Sequence, residues 1–224
     1  MSIRAIFLGT NPAGEKVYDW LNQQEDVEVL ALLTEKSQLS LIRDLEPEIV
    51  IASGFEHKVP EEIIDVPEKG VVNLHPSFLP YNRGAHPYIW PIVEDTPAGV
   101  SIHYMSEEID EGPIIDRREV EVRPDDTAET LYDRLQEEQF HQFKDNWGKI
   151  KEGVEGREQN LERGTVHYRD DLDELCELDL EEKGTFGEFL DRLRALQFSD
   201  HETAYFERNG EKYFLDVEVG KSSS

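Results

Sequence analysis

Sulfur and positive charge are both scarce in this chain. Its 224 residues hold one cysteine, two methionines and 23 lysines and arginines, against 50 aspartates and glutamates, for a formal charge of −27. The lone Cys176 rules out an intramolecular disulfide framework and suits a reducing compartment. There is no Cys-x-x-Cys or His-x-x-x-His pair, so no metal site is expected, even though His75, His86, His103 and Asp110 could be read together as a metal cluster. No stretch approaches the roughly 20 apolar residues of a membrane span. The opening Met1 to Gly9 reads as a buried strand, too short an apolar run for a secretory signal. A soluble cytoplasmic protein is expected, with neither nucleic acid nor membrane as partner, because so negative a field repels polyanions.

The acids themselves are patterned. Asp170-Asp171-Leu172-Asp173-Glu174 and Glu177 to Glu182 interleave carboxylates with periodic apolar positions and so cover a solvated face. Adaptation to a high-salt cytoplasm, where screening relieves self-repulsion, is the preferred explanation; an acidic surface for a basic partner is the alternative.

Alternation of strands and helices dominates the first third. Ile3 to Gly9, Val27 to Thr34 and Ile49 to Ser53 read as strands, with helices over Glu15 to Leu21 and Ser37 to Leu45. This predicts an α/β fold, a Rossmann-like core with a mostly parallel sheet and crossover helices. Gly9-Thr10-Asn11-Pro12-Ala13-Gly14 joins the first strand to the first helix without the full Gly-x-Gly-x-x-Gly pattern. It is either a plain Gly-rich turn or a place where helix-start amides receive an acceptor phosphate, with Thr10 and Asn11 as the candidate contacts. A helix opens after Asp125-Asp126-Thr127, with Leu131, Leu135, Phe140, Phe143 and Trp147 at its apolar positions. The break at Glu152 to Gly156 divides the chain into a core over 1–152 and an α+β extension over 153–220. The extension is predicted to hold a helix over Thr185 to Leu196 and a hairpin turning at Asn209-Gly210, and Lys221 to Ser224 reads as a frayed end.

The chemistry concentrates between Val71 and Gly112. Asn73 and His75 stand two apart at the end of a strand-like run, hence on one side of it, before Pro76 and Pro80 stop regular structure. A second strand, Gly99 to Tyr104, leads to Asp110-Glu111-Gly112, read as a turn in which glycine supplies the positive φ. Side by side, the two strands would set Asp110 near His75. An amide, an imidazole and a carboxylate suit acyl transfer: fixed donors face an oxygen that becomes negative, and a carboxylate–imidazole pair moves a proton. An acyl-enzyme on Ser77 is less attractive, since that residue reads equally well as a local cap.

The string Asn73-x-His75-Pro76-Ser77-x-Leu79-Pro80-x-x-Arg83-Gly84, followed by Asp110-x-Gly112, resembles the 10-formyltetrahydrofolate-dependent formyltransferases. Ile51 to Phe55 and Asp126 to Leu131 extend the match. The resemblance implies that Asn73, His75 and Asp110 are the catalytic trio. It implies 10-formyltetrahydrofolate as formyl donor, in a cleft with Phe55, Val59, Leu79 and Ile109 as candidate contacts; Phe55 and Leu79 read equally well as core.

The acceptor is read from the remainder. Methionyl-tRNA formyltransferases carry a basic C-terminal barrel, whereas the end of this chain is short and acidic. Glycinamide ribonucleotide formyltransferases show a Gly-Ser-Gly-x-Asn turn that is absent from Gly9 to Gly14. His103-Tyr104, Tyr81 to Pro87, Leu193 to Phe198 and Ala204-Tyr205-Phe206 look like the nucleotide-sugar N-formyltransferases. A small nucleotide-linked aminosugar is therefore the expected acceptor. Arg83 is the candidate for its diphosphate, or equally a tie within its own loop; Tyr205 and Phe206 are candidates to stack on its base, although aromatic residues in an alternating strand are more often core; and a homodimer is compatible with the family. Other small-amine or methionyl-tRNA formyltransferases, and a non-catalytic folate-binding or scaffold protein on the same fold, are the alternatives.

Overall fold

The computed structural model describes residues 2–199 and 203–220. The Lys221 to Ser224 end lies outside them. Among the described residues, no helix is long and apolar enough to cross a membrane.

The first half alternates as the sequence predicts. Strand β1 (Ile3–Leu8) leads to helix α1 (Pro12–Leu21), β2 (Val27–Leu33), α2 (Leu41–Leu45), β3 (Ile49–Ser53), α3 (Glu61–Ile64) and β4 (Val71–His75). Helix α1 begins three residues earlier than its apolar periodicity suggests, because Asn11 caps it and Pro12 is well suited to a first helical turn. The helix expected over Ser37 to Leu45 is split into a 3₁₀ turn at Lys36–Gln38 and the short α2.

After β4 come the two-residue β5 (Arg83–Gly84), α4 (Trp90–Val93), β6 (Gly99–Tyr104), β7 (Ile114–Glu119) and the long α5 (Ala128–Lys151). Thr127 caps α5 by accepting the Thr130 N–H, as its N-cap-like position suggests. The extension adds β8 (Val166–His167), α6 (Arg169–Cys176), α7 (Phe186–Ala195) and the hairpin β9 (Tyr205–Arg208) and β10 (Glu211–Phe214). Asn209 and Gly210 both take positive φ at the hairpin turn, 57° and 80°, which is why this dipeptide is legible as a reversal.

The main sheet has the order β2-β1-β3-β4-β6-β7. Its first four strands are parallel, while β6 runs antiparallel to β4 and β7 antiparallel to β6. One face carries Phe7, Ile51, Val72, Leu74 and Ile102 against Val17 of α1 and Phe143, Trp147 and Ile150 of α5. The other carries Ile6, Leu8, Val50, Ala52 and Val71 against Leu39, Ile42 and Ile63. Strands β1, β3 and β4 alternate between the two clusters, the period-2 signature of a sheet covered on both sides.

A third cluster joins the extension to the core. Leu172, Cys176, Leu193, Leu196 and Ala204 pack with Tyr88, Ile89, Leu131 and Leu135. Parallel pairing of β5 with β8 fastens the extension beside the loop that follows β4.

Candidate active site

Period 2 decides which face Asn73 and His75 occupy. Val72 and Leu74 turn toward α5, so Val71, Asn73 and His75 turn to the opposite face. His103 joins them, because it is the direct cross-strand partner of Asn73 in the β4–β6 pair.

Asp110 arrives by a different route from the one expected. Because β6 is antiparallel to β4, its last residue, Tyr104, lies beside Val72 rather than beyond His75. The loop Met105 to Gly112 therefore doubles back over the sheet. Its positive φ falls on Asp110 itself, at 53°, and not on Gly112. Glycine is required at 112 for a different reason: a Cβ there would stand 1.9 Å from the Tyr104 carbonyl oxygen. Gln159 secures the doubled-back loop, its Nε2 donating to the carbonyls of Asp110 at 2.8 Å and Gly112 at 2.7 Å.

The carboxylate of Asp110 ends between two imidazoles. Oδ2 is 3.6 Å from His75 Nε2, and Oδ1 is 3.6 Å from His103 Nε2. Oδ2 also accepts the Gly84 N–H at 2.9 Å. That donor is positioned from below: Asn82, fully buried, bonds with Thr96 and Thr165, and Gly84 at φ 86° passes so close to His167 that a Cβ would meet its carbonyl oxygen at 2.2 Å.

Charge within the group is set by burial and neighbours. Burial pushes His103 down to about 4, the nearby Asp110 opposing this and His75 adding to it, so His103 is neutral at physiological pH. Its Nδ1 lies 2.8 Å from the Tyr104 carbonyl, which only accepts, so Nδ1 carries the proton and Nε2 is left to accept from Asn73 Nδ2 at 3.1 Å. For Asp110 burial alone would raise the pKa, but His75, His103, the Gly84 N–H and Arg83 outweigh it and hold the carboxyl below the usual carboxylate range.

These groups open into a cavity of about 790 Å³. Asn73, His75, His103 and Asp110 all line it, and so do Phe55, Val59 and Ile109 of the expected donor contacts, together with Met105. Leu79 does not. It is fully buried, its N–H bonded to Ser101, and it belongs to the floor of the fold.

The expected acceptor contacts fare differently. Arg83 is 7% exposed and its guanidinium pairs with Glu111, so it ties down its own loop and does not line the cavity. Thr10 is exposed and outside the lining. Asn11 touches the cavity but accepts from Gly14 N and Ser53 Oγ at 2.8 Å each, and the Ala13 N–H is taken by Gln136 of α5. The helix-start amides at Ala13 and Gly14 are thus committed, and the reading of this turn as a phosphate site is not supported. Tyr205 packs within the third cluster, under Lys212 and away from the cavity.

At the end of the cavity nearest the extension stand residues that sequence reasoning did not select for this role. They are Tyr88, Tyr132, Phe198, His167 and Arg169, with Tyr88 stacked on Phe198 at 5.0 Å between ring centroids. They come from four separate segments, and only the packing of α6 and α7 on the core brings them together.

Comparison with known proteins decides the family. Residues 21–144 match the formyl transferase model. The chain belongs to the formyl transferase family. Residues 171–221 of this formyltransferase match the N-formyltransferase dimerization C-terminal domain. It is 35% identical over 173 residues, 76% of this chain and 72% of the relative, to a dTDP-4-amino-4,6-dideoxyglucose formyltransferase of Mycobacterium tuberculosis. Among solved structures it resembles a 4-N formyltransferase from Francisella tularensis, with TM-score 0.87, 25% identity and coverage of 98% of this chain and 99% of that one. It also resembles the formyltransferase PseJ from Anoxybacillus kamchatkensis, solved with a UDP-linked 4-formamido sugar and tetrahydrofolate, with TM-score 0.67, 29% identity and coverage of 76% and 88%.

Proposed function

We propose that this formyltransferase moves the formyl group of 10-formyltetrahydrofolate to the amine of a nucleotide-linked aminosugar. The observation that carries this reading is the division of one cavity into two chemistries around Asn73, His75 and Asp110. Phe55, Val59, Met105 and Ile109 offer an apolar wall suited to a flat pterin. Tyr88, Tyr132, Phe198 and Arg169 offer aromatic faces and a guanidinium suited to a base and a diphosphate. Arg169, rather than the loop-bound Arg83, is the guanidinium that lines this end of the cavity. Its side chain is 69% exposed and reaches Glu56 across 3.3 Å, a weak pairing that a phosphate would readily replace.

The residues of the trio divide the work. Asn73 spends one amide hydrogen on His103 and keeps the second for the formyl oxygen, which gains negative charge as the amine adds to the formyl carbon. His75, beside Asp110, passes a proton toward that oxygen or the departing folate nitrogen. Asp110, held ionised, receives the proton that the amine sheds, directly or through one water. Aligned donors and a partly water-excluded face make each of these contacts stronger in the transition state than in the ground state.

A net charge of −27 disfavours a folded RNA as acceptor and agrees with a small amine whose phosphates are held locally. The match to a dimerization domain supports a homodimer through the C-terminal segment, where Phe186, Phe189, Tyr213 and Phe214 stand exposed. The acidic surface fits work at high salt. Mass spectrometry of reactions containing 10-formyltetrahydrofolate and a panel of nucleotide-linked aminosugars tests the reading. A gain of one formyl group on at least one of them is expected; formylation of methionyl-tRNA or glycinamide ribonucleotide alone would overturn it.

A further inference from the structure

A second cavity, of about 420 Å³, lies on the other side of the Phe78 to Tyr81 segment and shares none of its lining with the first. Three arginines face it: Arg117 from β7, and Arg157 and Arg163 from the stretch between α5 and β8. Acids outnumber bases two to one, and Arg43, Arg118, Arg134, Arg169 and Arg192 each have a carboxylate within 4 Å. Among the described residues Arg117, Arg157 and Arg163 have none, as is also true of Arg4, Arg123 and Arg208; what distinguishes these three is that they line one cavity together, with Glu158 beside them. Arg117 is held in place, donating to the Leu79 carbonyl and lying 4.4 Å over the Phe78 ring. Arg157 is exposed, and its backbone is anchored by reciprocal bonds of 2.8 Å with Ile114.

We propose that this cavity is a second ligand site, taking a nucleoside diphosphate. Converging guanidiniums without carboxylate partners match phosphate oxygens, and Phe78 and Tyr81 supply the aromatic faces for a base. The volume lies within the range of ordinary small-molecule pockets. Gln159 lines the cavity too; its Nε2 holds the carbonyls of Asp110 and Gly112, while among the described residues no donor reaches its buried Oε1. A ribose hydroxyl would supply that donor, and occupancy would then stiffen the loop that carries Asp110. The assignment does not depend on which amine accepts the formyl group.

Hydrogen exchange with thymidine diphosphate as probe separates this site from the reaction cavity. In the wild-type protein exchange is expected to slow at residues 156–164 and 105–113. The double variant Arg157→Ala/Arg163→Ala is expected to lose this protection, with affinity at this site at least 10-fold weaker, and to keep basal formyl transfer unchanged. Inorganic pyrophosphate alone is expected to protect more weakly than the nucleotide. Protection of 156–164 that persists undiminished in the double variant, or wild-type protection confined to residues 84–88 and the surroundings of His75, would overturn the proposal. Equal protection by pyrophosphate would overturn its aromatic half and leave a site for inorganic phosphates only.

Discussion

Asn73 donates its side-chain amide to His103 Nε2 at 3.1 Å across the β4–β6 pair, and His103 can accept because its own proton is held by the Tyr104 carbonyl. An asparagine amide otherwise flips between two nearly isosteric states. In the proposed mechanism this contact fixes the amide so that its second N–H is kept for the formyl oxygen. His103→Phe should therefore lower kcat by roughly 10-fold or more with little change in either KM, since what is lost is orientation of a donor used in the transition state. His103→Gln keeps an acceptor and should recover part of the loss. Steady-state kinetics with both cosubstrates checks this, and a variant whose loss fell wholly in KM would assign His103 to substrate binding.

Removing members of the trio should cost more. His75→Ala and Asp110→Asn are each expected to lose roughly 10²-fold or more in turnover, as for removal of a proton carrier or of the charge that supports it. Asp110→Asn can still accept the Gly84 N–H through its amide oxygen, so the loop should stay in place and circular dichroism should match the wild type. Near-normal turnover in either variant would remove that residue from the mechanism.

Part of this site was legible in the chain and part was not, for identifiable reasons. Asn73 and His75 could be placed on one face because strand geometry fixes residues two apart, whatever the rest of the fold does. Asp110 could be placed near His75 only by assuming neighbouring strands and by resemblance, and the antiparallel run of β6 makes the doubled-back loop invisible from spacing. A signal for His103 was available: a polar pair, Ser101 and His103, interrupts an otherwise apolar strand, which marks a face with chemistry to satisfy. Arg83 stood open between an acceptor phosphate and a tie within its own loop, because sequence cannot say which carboxylate an arginine will meet, and Glu111 lies 28 positions away. Tyr88, Tyr132 and Phe198 became neighbours only through the packing of the extension on the core.

The buried neutral His103 should leave a mark on acid stability. Its folded pKa, about 4, lies below the value of 6.5 that it takes when unfolded, so between those pH values the unfolded chain binds the extra proton. Stability from this group is complete above about 6.5 and is lost as pH falls toward about 4, by roughly 3 kcal/mol at most. Asp110, whose folded pKa is lowered, adds stability that is lost only as pH falls below its ordinary value of 3.8. Relief of self-repulsion as carboxylates protonate works in the opposite direction, so the comparison must be with His103→Gln. Urea midpoints measured at pH 7.5 and pH 5 should fall further for the wild type than for the variant; parallel curves would mean that His103 titrates normally.

Salt provides the last test, because it separates the two explanations of the acid excess. Exposed acids such as Asp170, Asp173 and Glu174 on α6 repel one another across solvent, where screening acts within roughly 10 Å at 0.1 M salt and about 3 Å at 1 M. The few strong cross-links in the surface, such as Arg118 with Asp116, Glu138 and Asp145, weaken under the same screening. Acids outnumber bases by 50 to 23, so repulsion dominates and the melting temperature should rise steadily from 0.1 M to 2 M potassium chloride. Differential scanning calorimetry at fixed pH reads this directly. A melting temperature indifferent to potassium chloride would dismiss salt adaptation and leave recognition of a basic partner as the use of the acidic surface, in which case association with that partner would weaken as salt rises.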